Sequence, residues 1–352
     1  MSIEQEKINR RRRNEGRLDH PARAADRVKF PADFGKRFAV FVDTEEEFDW
    51  TQPRSREATA TSAIRYLPEF QRLMDAHSIC PTYLIDYPVA DSPEAAEILS
   101  AMLSAGNCHI GTQLHAWVNP PHEEEIIPVN SFAGNLPIVL ERAKLAALTE
   151  RITSAIGVRP TIYRAGRYGV GPNTAALLEE AGYLVDVSVR PHFDYSNEGG
   201  PNFLRHNSRP FWAGPSGNLL ELPLGVSYTG QLRRYGRLLY GDGRSAGRKL
   251  GGLARAGMLA RVALTPEAIP VDDAKRAIDA MLSDGHQFLS FSFHSPSLTP
   301  GHTPYVRNSA DLTNFYGWWD KVLTFLAARK VTPVSLDEIV ASARSTRPAS
   351  SA

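Results

Sequence analysis

Residues 38–49 read FAVFVDTEEEFD, an apolar run that breaks directly into carboxylates. Five apolar residues in a row suit a strand buried on both faces, as in a parallel sheet. Acids at its C-terminal edge then stand at the mouth of the fold, where α/β architectures concentrate their chemistry. Side chains alternate along an extended chain, so Asp43, Glu45 and Glu47 share one side while Glu46 and Asp49 need not. That side offers a base and a metal ligand. The competing reading is a solvated acidic loop.

Outward from this strand, short apolar runs alternate with longer amphipathic stretches, the signature of repeated strand and helix units. The pattern predicts strands at 37–43, 81–86, 108–114, 160–164, 183–188, 219–224, 288–294 and 332–336. Helical periodicity falls at 62–77, 92–105, 137–156, 172–181, 271–284 and 309–328. Ser92 with Pro93 opens one helix and Gly106 closes it, while Pro172 opens another and Gly182 ends it. Seven or eight such units argue for a closed or nearly closed parallel α/β barrel.

At 352 residues with 42% apolar content, the chain suits one barrel domain. We read residues 36–345 as that barrel, 1–35 as a flexible basic extension containing Arg10 to Arg13, and 346–352 as a disordered tail. The formal net charge of +1 gives no global signal for nucleic acid. Cys80 and Cys108 look like small core residues, without a disulfide framework. Neither a membrane-length apolar segment nor a hydrophobic leader is read in the sequence, so a cytoplasmic location is expected. Residues 117–136 predict a loop over the mouth. Segment 229–262 carries Arg233, Arg234, Arg237, Arg244, Arg248, Lys249, Arg255 and Arg261 against Asp242. With its leucines it reads as a basic insertion, a helix or helix pair suited to peripheral contact with an anionic membrane, or simply a surface helix with its cations in water.

Four segments carry candidate chemistry. In HIGTQLHAWVNPP (109–121), His109, Gly111, Gln113 and His115 point one way. His109 lies about 13 Å before Gln113 along an extended strand and is assigned a structural role. His115 is the better ligand, since imidazole and a carboxylate such as Glu45 are ordinary zinc ligands. FLSFSFHSPSLTPG (288–301) ends its buried run at His294, as the first strand ends at Asp43. An acid and an imidazole delivered to opposite walls of one cavity can divide labour, one deprotonating water and the other protonating a leaving group. YRAGRYGVGP (163–172) places Arg164 where it can keep a carboxylate ionised. Asp186 in YLVDVSVRP (183–191) matches it on the next strand, either orienting His294 or pairing with Arg164. Trp50, Trp117, Trp212, Tyr168 and Tyr195 are candidates for stacking on a ligand, and Arg167 joins Trp117 and Tyr168 as a substrate contact. The loop histidines His122, His192, His206 and His302 are further candidate ligands.

Together, RAGRYGVGPNTAALLEEAGY (164–183), NSFAGNLP (130–137) and SFHSPSLTPGHTPYV (292–306) resemble the NodB-homology polysaccharide deacetylases, carbohydrate esterase family four, and most closely their WalW-type branch. The resemblance runs from Phe38 to the helix beginning at Ser335. It implies a (β/α)7 fold, a distorted relative of the TIM barrel, with its site at the C-terminal strand ends. Carried over, it makes Asp43 the catalytic base, Glu45 a metal ligand, Arg164 the residue holding the base, Asp186 the fourth-motif acid and His294 the general acid. A divalent metal, zinc by preference, would polarise an N-acetyl carbonyl of an amino sugar in a glycan or glycan precursor. The chain departs at the second motif, where Gln113 and Trp117 stand at the two histidine places, with His115 between them. Glutamine is a poor zinc ligand. Three outcomes stay open: a weakly held metal, a metal-independent amide hydrolase, or an impaired homologue that binds glycan without turnover.

Overall fold

A computed structural model describes residues 16–241 and 247–347, the side chains of 247–249 excepted. The expected Arg10–Arg13 run, Asp242, Arg244, the side chains of Arg248 and Lys249, and the tail from 348 lie outside that description. Eleven strands occur in it: β1 Arg37–Thr44, β2 Thr82–Ile85, β3 His109–Leu114, β4 Ile162–Ala165, β5 Val185–Asp186, β6 Phe211–Ala213, β7 Leu219–Glu221, β8 Val226–Thr229, β9 Ala260–Ala263, β10 Phe288–His294 and β11 Thr332–Pro333. The main sheet runs β10-β1-β2-β3-β4-β5-β7 with every neighbour parallel, and antiparallel β6 caps its edge. It curls into a barrel of the (β/α)7 kind. Between β7 and β10 the wall is completed by single backbone bonds: Gly225 N donates to Ser290 O and Ser292 N to Leu264 O, at 3.1 and 3.2 Å.

Two hydrophobic layers follow from the period-two pattern of β1. Ala39 and Phe41 join Leu84, Ile162, Val185 and Leu220 inside the barrel. Phe38, Val40 and Val42 face outward against the helices, among Phe70, Phe291 and Trp319. The predicted helices form at Leu67–Ala76, Pro93–Ser104, Ile138–Ile156, Thr174–Glu180, Val271–Ser283 and Ser309–Ala328. Ser92, Asn308 and Ser335 cap their helices with side-chain oxygens, as start signals of this kind do.

Three features differ from the sequence expectation. Residues 16–35 pack onto the barrel: Leu18 is fully buried, Val28 N bonds Pro210 O, and Gly214 N bonds Gly16 O. Sparse apolar residues, Leu18, Phe30 and Phe34, suffice to dock a charged segment because β6 offers an edge. Thr346 and Arg347 are likewise anchored, on Lys29 O and Asn218. Segment 229–262 is not a helix pair alone; it begins and ends in the antiparallel hairpin β8–β9, with short helices Gly236–Tyr240 and Gly247–Arg255 between. Tyr235, Leu238 and Leu239 are exposed there. Among the described residues no helix is long and apolar enough to cross a membrane.

The loop after β3 is fixed from below by a buried cation. Lys144 Nζ, fully buried, donates to Ala116 O, Asn119 O and Pro121 O at 2.9, 2.6 and 2.8 Å and meets Glu124 at 3.0 Å. Removing the ammonium leaves a carboxylate and three carbonyls buried without their donor. Lys144→Met is therefore expected to lower stability by about 3–5 kcal/mol, read from the urea midpoint. A midpoint within experimental error of the wild type would show that Lys144 does not hold the loop.

Candidate active site

The inward row of β1 continues from Ala39 and Phe41 to Asp43, and β10 supplies Ser290, Ser292 and His294 in the same way. Parallel pairing sets Asp43 directly beside His294 in register. Their side chains approach to 3.6 Å between Asp43 Oδ2 and His294 Nε2. They are thus lateral neighbours on one wall, where opposite walls were expected, because the sheet joins β10 to β1. Each is held by a separate partner. Arg164, buried on β4, lies 3.0 Å from Asp43 Oδ1. Glu267 accepts from His294 Nδ1 at 2.7 Å and from its backbone N at 3.1 Å, leaving Nε2 toward Asp43. Burial alone would lower the imidazole's pKa; Glu267, followed by Glu45 and Asp43, outweighs it and pushes the value up to about 10. At neutral pH His294 is an imidazolium carrying a transferable proton.

Beside this pair lies a second network. Gln113 Nε2 donates to Glu45 Oε2 at 2.9 Å and to His115 Nε2 at 3.0 Å, and those two atoms are 3.4 Å apart. An amide nitrogen only donates, so His115 Nε2 is the acceptor and the ring hydrogen sits on Nδ1. Nδ1 bonds Glu46 Oε2 at 2.7 Å, and Trp117 Nε1 bonds the other oxygen at 2.9 Å. Asp86 caps the next helix through Val89 N and accepts from Glu46 N. Burial pushes Glu46 up to about 8 and Asp86 well above the usual carboxylate range, so these two acids share a proton. Burial also raises Glu45 to about 7 and holds His115 below the ordinary histidine value.

Metal-ligating atoms are present here. Among the described residues, Glu46, Asp86 and His115 form a group whose ligand atoms lie within 4.8 Å of one another. On the cavity side the Glu45, His115 and Gln113 atoms form a triangle with edges of 2.9 to 3.4 Å, and Glu45 Oε1 and Gln113 Oε1 are buried without hydrogen-bond partners. Two orphaned oxygens beside a neutral imidazole are a donor set that fits a small cation.

These groups open into a cavity of about 220 Å³ lined also by Phe48, Trp50, Arg54, Trp117, Arg167, Tyr168, Arg190, Tyr195 and Tyr305. The turn after β4 shapes one side. Arg167 and Tyr168 both take left-handed backbone, at φ 56° and 61°, costing about 1–3 kcal/mol each. NSFAGNLP braces it: Gly134 N bonds Gly169 O at 2.8 Å, Arg167 bonds Ser131 Oγ and stacks on Phe132 at 4.2 Å. A side chain at Gly134 or Gly171 would collide with the other's backbone at 2.0 Å.

Of the expected site residues, Asp43, Glu45, Gln113, His115, Trp117, Arg164, Arg167, Tyr168 and His294 meet in this cavity, with Trp50 and Tyr195. Asp186 does not. Register pairs it with Tyr163, one step from Arg164, so its carboxyl lies outside the cavity lining and bonds Ser188 and Glu221 instead of His294. Trp212, on β6, lies outside the cavity, as do His122, His192, His206 and His302. Glu267 performs the orienting role expected of Asp186. It sits between two prolines in an aperiodic loop, and no pattern marks it. Asp86 was more legible, as an acid before Tyr-Pro at a helix start.

The sequence matches no family model and no curated protein. Similarity emerges among solved structures. The Puue allantoinase shares 16% identity over 90% of this chain and 93% of that one, with TM-score 0.52. A candidate polysaccharide deacetylase from Mycobacterium smegmatis shares 18% over 94% and 99%, with TM-score 0.48. A family 4 acetyl xylan esterase from Clostridium thermocellum, in complex with cobalt, shares 14% over 87% and 91%, with TM-score 0.39. At these identities the likeness concerns the fold.

Glu267 is the principal group keeping the proton on His294, so its neutralisation has a defined sign. NMR titration of the His294 ring should give a value near 10 in the wild type. In Glu267→Gln the value should fall toward the ordinary histidine range of about 6.5. A titration that stays above pH 9 in the variant would remove Glu267 from this role.

Proposed function

We propose that the protein hydrolyses a carbon–nitrogen amide bond, the N-acetyl group of an amino sugar in a glycan or glycan precursor, as a NodB-homology deacetylase of the WalW type. What supports the reading is the Asp43–His294 pair: a carboxylate and an imidazolium side by side at the cavity, each with its own counter-charge. Asp43 takes a proton from water as the oxygen attacks the acyl carbon. His294 Nε2 gives its proton to the departing nitrogen as the C–N bond breaks, leaving acetate and a free amine. Arg164 pairs with Asp43 and Glu267 stabilises the imidazolium. The proton taken by Asp43 returns to His294 Nε2 across the 3.6 Å between them, and the aromatic lining excludes water and stacks on the sugar.

A divalent cation, zinc by its match to imidazole and carboxylate, would be held by Glu45 and His115, with the Gln113 amide turned oxygen-inward. Bound there it would supply a Lewis acid next to Asp43. A second reading, hydrolysis without metal, is favoured by one observation: the Gln113 amide nitrogen already bridges Glu45 and His115.

Acetate release from N-acetylated amino sugars tests the main reading. Asp43→Asn is expected to reduce kcat/KM about 10²- to 10⁴-fold. No release from a broad panel by the wild type would end it. Metal analysis after dialysis separates the two versions. Stoichiometric zinc in the wild type, bound more tightly in Gln113→His, supports the metal version; turnover that survives chelation in metal-free protein supports the other.

A further inference from the structure

Four guanidiniums line the cavity, from Arg54, Arg164, Arg167 and Arg190, against three carboxylates, Asp43, Glu45 and Glu267. His294 adds a further positive charge. Two of the arginines are neutralised: Arg164 by Asp43 and Arg167 by Glu198. The other two are not. Among the described residues no carboxylate lies within ion-pair reach of Arg54 or Arg190, which is what sets them apart; the Nε of each is buried without a hydrogen-bond partner, as are the three nitrogens of Arg164. Arg190 makes one side-chain hydrogen bond, from Nη1 to the Tyr195 hydroxyl at 2.9 Å, and otherwise packs its guanidinium against Tyr168 and Phe193 at 4.9 and 4.0 Å. Arg54 rests on Trp117 at 5.4 Å. Ring faces hold these groups in place while leaving N–H donors unspent.

The basic insertion reinforces this side. Arg261, on β9, lies 3.7 Å over the same Phe193 ring and donates to His192 O, with no acid within ion-pair reach among the described residues. Cations clustered around one ring repel each other unless an anion joins them.

We infer that Arg190, with Arg54 as a second cation in the same lining, forms a subsite for an oxyanion carried by the substrate, a carboxylate or a phosphate. This rests on the amide-hydrolase reading for what the substrate's other end does. A planar guanidinium with free donors takes either group in a bidentate fork. The substrate class narrows to acidic N-acetyl sugars, in which the anion anchors one end and the acetamide meets Asp43 and His294.

The test is calorimetric binding to the full chain in the His294→Gln background, which removes the proton donor and leaves Arg164 paired with Asp43. The probes are N-acetylglucosamine, N-acetylglucosamine 6-phosphate and N-acetylmuramic acid. At least one acidic sugar should bind about 10- to 100-fold more tightly than the neutral one, and the stronger of the two identifies phosphate or carboxylate. Arg190→Gln should abolish that preference and leave the neutral sugar's Kd within about twofold, while Arg190→Lys retains part of it. If Arg190→Gln does not fold, Arg54→Gln should reduce the preference and added salt should weaken only the acidic sugars. Equal affinity for all three, or a preference unchanged in both arginine variants, overturns the subsite. Acetate release by the wild type is scored separately: a charge preference without release keeps the subsite and removes the hydrolase, and release without a preference does the reverse.

Discussion

Seven consecutive residues of β1 pair in parallel with seven of β10, and the last step of that ladder is Asp43 beside His294. Everything chemical in the molecule depends on this register. Backbone spacing between neighbouring strands is fixed near 4.8 Å, so two charged side chains on adjacent inward positions would collapse into a plain ion pair if nothing else held them. Arg164 and Glu267 prevent that by pulling from either end. The result is an alternating row, Arg164 plus, Asp43 minus, His294 plus, Glu267 minus. Such a row is close to neutral as a whole, which makes its burial tolerable, and a one-residue slip of β1 or β10 would send that strand's member to the opposite face.

The network around His115 shows how a glutamine settles between a carboxylate and an imidazole. A histidine at 113 would offer an acceptor to a cation, whereas glutamine offers two amide hydrogens on the same reach. Those hydrogens bond Glu45 Oε2 and His115 Nε2 together, and Glu46 accepting from His115 Nδ1 sets the tautomer from the other side. Both ring nitrogens of His115 are therefore bonded, one to an amide hydrogen and one to a carboxylate.

Most of the architecture was legible because it rests on period. The seven parallel strands and six long helices follow apolar spacing, and Asp43 and His294 stand out as the first polar residues where inward rows meet loops. Asp186 lies off the cavity because a strand pattern gives alternation without the register against its neighbour; it stands beside Tyr163 in the sheet and interacts with Arg164 only through space. Glu267 lies in a loop whose position is set by the β8–β9 hairpin, and that hairpin was hidden inside a segment whose arginines suggested helix. Residues 16–35 were read by charge density. Their docking depends on a few apolar side chains and on backbone bonds to β6, which composition does not record.

Arg167 and Tyr168 show what the cavity wall costs the backbone. Glycine adopts their left-handed backbone without steric cost, and the chain around them is already rich in glycine, at 166, 169 and 171. Two large side chains in consecutive left-handed positions are maintained against that easier alternative, braced by Phe132, Ser131 and the Gly134–Gly169 bond. The strain is rational only if the side chains themselves are needed where the turn puts them. Tyr168 meets Arg190 face-on, and Arg167 pairs with Glu198, an acid that also acts through space on Arg54. The turn therefore spends conformational energy to fix two large side chains on the cavity wall, one of them the ring face on which Arg190 rests.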